Sequence, residues 1–364
     1  MKKILAVLIV FLAAAGAYAL RSEKGEVPPA PPSPAAQKPS SLPSPSSLAL
    51  FPESPFRKPL PDDAPIDPRS GEFVEGLSRA GDFVITYRQY SVPVYIADET
   101  TPRIDIPLPC GKRWELGVSA LKSVPVPAWA EAAFDADGAD NPPKGCGEDA
   151  DQDNAMAIID PVRRCEYDLW QARREGGTWM ASWGNAISLD GSGVYEKGFS
   201  ARGSGFALTL GMIFPDELAR GEINHALIFS YPFTKSGGPV PPASESDGES
   251  EEEFALPEGA RLRLKKDFDA SGLAPYEKTI ARALQKYGMV LADNGGDSGV
   301  ALYAVDPKSV SENPYEGMFP DEDYIPLSIP LDAFEVVALP PQRENPQEFA
   351  VSDPQCAAFS KNRH

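Results

Sequence analysis

Between Phe83 and Leu339 the apolar residues come in short runs, and Gly, Asp or Pro cuts them every 8–15 positions. That punctuation is the strongest constraint on this chain. Runs such as Phe83–Tyr87, Ala155–Asp160, Cys165–Gln171, Trp179–Trp183, Phe206–Phe214, Ile223–Tyr231 and Val300–Val305 are too short for long helices. They suit strands that bury one or both faces. Regular short strands with turn residues between them are the pattern of an all-β sandwich or barrel. The expected fold is therefore an all-β, jelly-roll-like β-sandwich.

One segment breaks the pattern. In Pro275–Tyr287 the residues Tyr276, Ile280, Ala283, Leu284 and Tyr287 recur at helical spacing, with charged residues on the other face. Pro275 suits a first helical turn and Gly288 a C-terminal cap. This predicts one covering α-helix over about 275–287. A shorter helix is expected at Pro215–Arg220.

The ends differ from the body. Lys2 and Lys3 precede an apolar run, Ile4–Ala17, and Ala17-Tyr18-Ala19 is an A-x-A cleavage site. Residues 1–19 therefore read as a signal peptide, with an uncleaved N-terminal anchor as the alternative. An uncleaved segment would be the chain's only route to a membrane. Residues 20–70 are rich in Pro and Ser, with 14 prolines from Arg21 to Ser70. Such a stretch buries too little apolar surface to offset its chain entropy and is expected to be a disordered linker. An apolar patch at Leu48–Phe56 is able to pack on the body. The body spans 71–340, and 341–364 is a C-terminal tail.

The expected location is outside the cytoplasm: periplasm, cell surface or medium. Cys110, Cys146, Cys165 and Cys356 are an even number, and disulfides fit an exported chain. Three complete pairings are possible, of which Cys110–Cys146 with Cys165–Cys356 is preferred. The net charge of −19 argues against nucleic-acid phosphates as a partner. The run Glu245–Glu253 holds six acids and reads as a solvated loop.

The pieces SVPVYIADETTPRIDIPL, AMAIIDPVRRCEYDLWQARR, WMASWGNAISLDGSGVY, SARGSGFALTLGMIFPDELARGEINHALIFSYP, ALPEGARLRLK and ARALQKYGMVLADNGG occur in this order. Over about Ser91–Leu339 they resemble a family of secreted bacterial β-sandwich proteins. The resemblance implies export and architecture and hands over no catalytic residues.

Function must then be sought in the residues. His225 is the only histidine before the C-terminal His364, so a multi-histidine zinc site is excluded. Glu217, His225 and Asp293 form one candidate catalytic group, a carboxylate–imidazole set for acid–base work on a polysaccharide as a hydrolase or lyase. The plainer reading is a buried histidine satisfied by a carboxylate. Trp170, Trp179, Trp183, Tyr195 and Tyr231 fall in neighbouring strands. Trp183 and Tyr231, with Asn185, Arg202 and Asn294, are candidate ligand-binding residues for a glycan or cell-envelope polymer. Tryptophans in strands otherwise belong to the core. Asp149, Asp151, Asp153 and Asp160 echo a calcium loop, although Asn154 stands where the loop glycine belongs. Calcium is thus a possible cofactor, and a calcium-dependent adhesion module or a purely structural role are the alternatives to glycan binding. Gly296-Asp297-Ser298-Gly299 matches a protease nucleophile motif, but without the accompanying histidine segment it reads as a turn. Arg261, Arg263 and Lys265 share one strand face and suit either an anionic polymer or pairing with acidic neighbours.

Overall fold

The computed structural model describes residues 37–43, 45, 47–133, 135, 146, 152–196, 200–296, 299–344 and 354–361. The signal-peptide segment, Asp149, Asp151, Asp297 and Ser298 lie outside them. The strands are β1 (Phe83–Thr86), β2 (Val94–Ile96), β3 (Arg103–Pro107), β4 (Val118–Pro125), β5 (Met156–Asp160), β6 (Cys165–Trp170), β7 (Arg173–Glu175), β8 (Thr178–Met180), β9 (Trp183–Ser188), β10 (Leu227–Tyr231), β11 (Arg261–Leu264), β12 (Met289–Asn294), β13 (Val300–Tyr303), β14 (Tyr324–Pro326), β15 (Phe334–Val336) and β16 (Phe359–Lys361). The helices are α1 (Ser70–Ala80), α2 (Cys110–Arg113), α3 (Pro215–Arg220) and α4 (Pro275–Lys286).

A seven-stranded sheet runs β14-β1-β13-β10-β12-β11-β15, a four-stranded sheet β2-β5-β6-β9 and a three-stranded sheet β16-β4-β3. Alternation along the strands assigns residues to layers. Leu227, Phe229 and Tyr231 of β10 join a core with Leu77 of α1 and Ile280 and Leu284 of α4. Ile228 of β10 points the other way, into a core with Val94 and Ile159 of the four-stranded sheet. The far face of that sheet, through Ile158 and Leu169, packs on Ile106 and Leu121 of the three-stranded sheet. The order of layers is helices, large sheet, middle sheet, small sheet.

The strand-rich expectation holds. The jelly-roll arrangement does not follow from these pairings, because β1/β13, β2/β5 and β10/β12 are parallel, whereas jelly rolls are antiparallel. Parallel neighbours need long crossovers, and β10 reaches β12 by way of β11 and α4.

Helix α4 forms over nearly the whole predicted span and buries Ile280, Ala283 and Leu284. Its first turn is closed by the Glu277 carboxylate, which accepts from the Ala274 N–H at 2.9 Å. Gly288 ends it at φ +77°, and a Cβ there would lie 2.2 Å from the Leu262 carbonyl oxygen. Helix α1 is a second covering helix beside the one predicted. Gly76 in its middle disfavours helix on propensity, yet a Cβ at that position would meet Phe254 at 2.5 Å and the Tyr231 hydroxyl at 2.6 Å. The patch inside the proline-rich stretch packs as its composition suggests. Phe51 donates its N–H to Leu189 O at 2.8 Å, and buried Phe56 meets Phe206 edge-on at 5.2 Å.

The disulfides are Cys110–Cys146 and Cys165–Cys356, the preferred pairing. The second joins β6 to the C-terminal segment across 191 positions, and that segment adds β16 to β4. Two such bonds belong to a chain that matures in a non-cytoplasmic, oxidising location. Among the described residues no helix is long and apolar enough to cross a membrane.

Candidate functional site

The C-terminal end of β12 places Asp293 and Asn294 opposite Ser230 and Tyr231 of the parallel strand β10. The rim beyond the carboxyl ends of parallel strands is a common place for ligands, since the chain turns away there and leaves a crevice. Here the crevice is a cleft of about 1480 Å³. Among the residues around it are Trp114, Trp170, Trp183, Arg202, Asp247 and Asp293.

Its floor is built from two loops against the strand ends. Arg202 is almost fully buried, with its guanidinium carbon 4.8 Å from the centre of the Tyr303 ring of β13. Its Nη2 donates to Leu208 O at 3.2 Å, and Nη1 lies 3.7 Å from Asp293 Oδ2, beyond hydrogen-bond range. Nε and Nη1 have no hydrogen-bond acceptor. Gly203 lets the Asp247 carboxylate come close to the loop, since a Cβ there would fall 2.4 Å from it. Glu258 lies behind them, fully buried, with one oxygen accepting from the Asp247 N–H at 3.3 Å and Oε1 unpartnered. One oxygen each from Asp247, Glu258 and Asp293 lies within 4.8 Å of the others.

Burial and mutual repulsion set the protonation of this floor. Burial pushes Asp293 well above the usual carboxylate range; Arg202 opposes the rise, while Asp247 and Asp153 add to it. Burial likewise holds Glu258 well up, with Asp247 and Asp293 contributing. Asp247 is open to solvent on the cleft side but hemmed in by the walls, and burial raises it to about 6 against the hydrogen bond with Glu258. Nearby, burial carries Glu245 to about 8 and, with Asp153 repulsion, Asp135 to about 7.

The wall is aromatic. Half-exposed Trp114 and Trp170 sit 6.1 Å apart with rings tilted by 31°. Trp170 is fixed by its indole N–H, which donates to Asp153 Oδ1 at 2.9 Å. Trp183 is 2% exposed and stacks on Phe359 at 6.0 Å. Cys110, at the start of α2, anchors the segment that delivers Trp114.

Of the sequence candidates, Trp183, Arg202, Asp293, Asn294 and Asp153 border this cleft. Others do not. His225 and Glu217 form a closed corner: Nε2 lies 3.3 Å from the Glu217 carboxylate and Nδ1 2.9 Å from Ala226 O. Burial would lower the imidazole pKa, but the Glu217 charge and hydrogen bonds outweigh it and the net shift is upward. Glu217 also caps α3 by accepting from the Phe214 N–H at 3.2 Å. The hollow beside this corner is only about 30 Å³. His225 precedes Ser230, the partner of Asp293, by five residues of chain. His225 borders the small hollow and Asp293 the cleft, and both ring nitrogens of His225 are engaged by other groups, so the three are not brought together. Glu217, rather than Asp293, is the carboxylate that His225 meets.

Tyr231 faces α1 on the opposite side of the large sheet, and Asn185 is fully buried on β9, its Oδ1 accepting from the Ala186 N–H. Asp160 is committed elsewhere: it pairs with Arg103 and accepts from Val162 N and Arg163 N. The extended strand β5 separates it from Asp153, so these two do not share an ion as a compact loop would require. Arg263 is held by Glu335 at 2.6 Å and Arg261 by the Tyr287 carbonyl, a paired strand face. The acidic run is not simply solvated, since Glu245, Asp247 and Glu249 turn toward the cleft. Trp114, Tyr90, Tyr303, Asp247 and Glu258 are the site residues that sequence reasoning missed. No protein-family profile, curated protein or solved structure matches this chain.

Proposed function

We propose that this is an exported protein that binds a glycan of the cell envelope in the cleft beside β12. The observation that carries the reading is the pairing of half-exposed Trp114 and Trp170 on one concave wall with unsatisfied polar atoms on the floor. A sugar ring has flat apolar faces for the indoles and hydroxyls around its edge. Those hydroxyls would donate to the solvent-facing Asp247 and Asp293 carboxylates, with the buried Arg202 behind them. The cleft exceeds the size of a typical small-molecule pocket of about 300–1,000 Å³, which suits a chain of several sugars. The oxidised cysteines and the resemblance to secreted β-rich proteins support an extracytoplasmic setting. The hydrolase or lyase reading built on His225 has less support, because both ring nitrogens are engaged, one by Glu217 and the other by the Ala226 carbonyl.

The test is binding of the full chain to a panel of envelope glycans by calorimetry or glycan array, with Trp170→Ala beside it. Saturable binding weakened by Trp170→Ala is expected. A folded protein that binds none of the panel would overturn the reading.

A further inference from the structure

The floor of the cleft carries more than hydroxyl acceptors. Asp247 comes from a loop, Glu258 from the chain just before β11, and Asp293 from the end of β12. Nothing in their sequence spacing requires them to meet, yet one oxygen from each comes within 4.8 Å of the others. Oxygens bound to one calcium ion at about 2.3–2.6 Å can be no more than about 5 Å apart, so the spread fits a common ion.

Two further observations point to a ligand. Glu258 is fully buried, and while its other oxygen accepts from the Asp247 N–H, its Oε1 has no hydrogen-bond partner. Buried carboxylate oxygens ordinarily find one, and leaving one bare is costly. Arg202, the nearest cation, does not close the cluster. It stands 3.7 Å from Asp293, stacks on Tyr303 and spends its one good hydrogen bond on Leu208 O. Three carboxylates against one guanidinium leave an excess of two negative charges when all are ionised. Asp153 strengthens the same field. Only oxygen donors are present, with no imidazole or thiolate, which selects hard cations over zinc or copper.

We propose that Asp247, Glu258 and Asp293 bind a hard divalent cation, calcium or magnesium, on the floor of the cleft. Glu258 anchors the ion from behind, and Asp247 and Asp293 hold it from the solvent side. The ion's remaining positions face the cleft, where water or ligand hydroxyls complete its shell. This is a different site from the one suggested by the acidic stretch Asp149–Asp160, and it does not depend on the glycan reading.

The test uses the cation alone. The full chain, stripped with EDTA, is titrated with CaCl2 and separately with MgCl2 by calorimetry, and its Tm is followed in both. One equivalent of saturable binding and a rise in Tm are expected for at least one ion, and the two arms identify which. Asp293→Asn and Asp247→Asn should each weaken affinity by about tenfold or more, since affinity follows the charge count of the ligands. Asp247 is open to the cleft, so its variant serves if Asp293→Asn does not fold. Glu249→Gln, on the rim outside the cluster but close enough for its charge to act on Asp247, should weaken affinity far less than either. No binding at millimolar cation would overturn the proposal. So would equal weakening by Glu249→Gln, which would mean a diffuse acidic field rather than a site.

Discussion

Two acidic places in this protein look alike in sequence and differ in physics. At the Glu217–His225 corner every charged atom is answered: the carboxylate caps a helix and holds the imidazole, and the imidazole also reaches a carbonyl. At the floor of the cleft the count does not close. Arg202 Nε and Nη1 and Glu258 Oε1 have no partner, and three carboxylates crowd together. A closed polar network serves the fold, because each group has already recovered what burial cost it. Polar atoms left open beside a cleft are the ones with free energy still to gain from a ligand. The histidine drew attention by its rarity, but the open floor is where a ligand has something to do.

The comparison can be broken at several points. The largest effect is expected from Glu217→Ala, which takes from the buried His225 ring the carboxylate that favours its protonated form and removes a helix cap. We expect a loss of about 3 kcal/mol in denaturant unfolding with glycan and cation binding unchanged. Because the His225 pKa is raised in the folded state, the pair stabilises most below the unfolded value near 6.5 and fades as pH rises through the folded one. The penalty should therefore shrink in alkaline buffer. A loss of ligand binding in this variant would dissolve the distinction between the two regions.

Trp170→Ala tests the cleft from the other side. It should cost about 1.4 kcal/mol of glycan affinity, a tenfold rise in Kd, beside the modest drop in Tm expected for a partly buried ring. A drop in Tm without a change in Kd would make it a packing residue.

Glu245→Gln sharpens the electrostatic side. Its carboxyl titrates at about 8 in the fold against 4.5 as the ordinary value. Between those values the folded state keeps a proton that the unfolded chain has lost, so its contribution to stability falls as pH rises and is gone above about 8. The amide should be neutral at pH 4 and stabilising by about 1 kcal/mol at pH 8 in parallel melts. The smallest effect is expected at Asp190→Asn, which breaks an exposed pair with Arg164. That change should stay within about 0.5 kcal/mol, and a larger value would show that surface charge matters more here than the buried floor.

Much of the scaffold was legible because local patterns carry it. The stripe from Tyr276 to Tyr287 becomes α4, and the two-sided apolar run before Tyr231 becomes β10 with a core on each face. Helix α1 was not legible, because Gly76 argues against helix unless one knows that Tyr231 and Phe254 press on it. The acids of Glu245–Glu253 read as a solvated run because charge pattern alone does not tell a free loop from one folded over a cleft. Asp293 and Asn294 were found by their place at a strand end. Asp247 and Glu258 were missed because nothing local marks them as neighbours of Asp293.

The chain by itself determined its strand-rich character, its long helix and its pairable cysteines, since these depend on periodicity, turn chemistry and cysteine count. Only the tertiary structure decided which polar residues are finished and which remain open. That difference arises when β10 and β12 pair in parallel and two loops fold onto their ends, because burial and hydrogen-bond partners are properties of residues far apart in sequence.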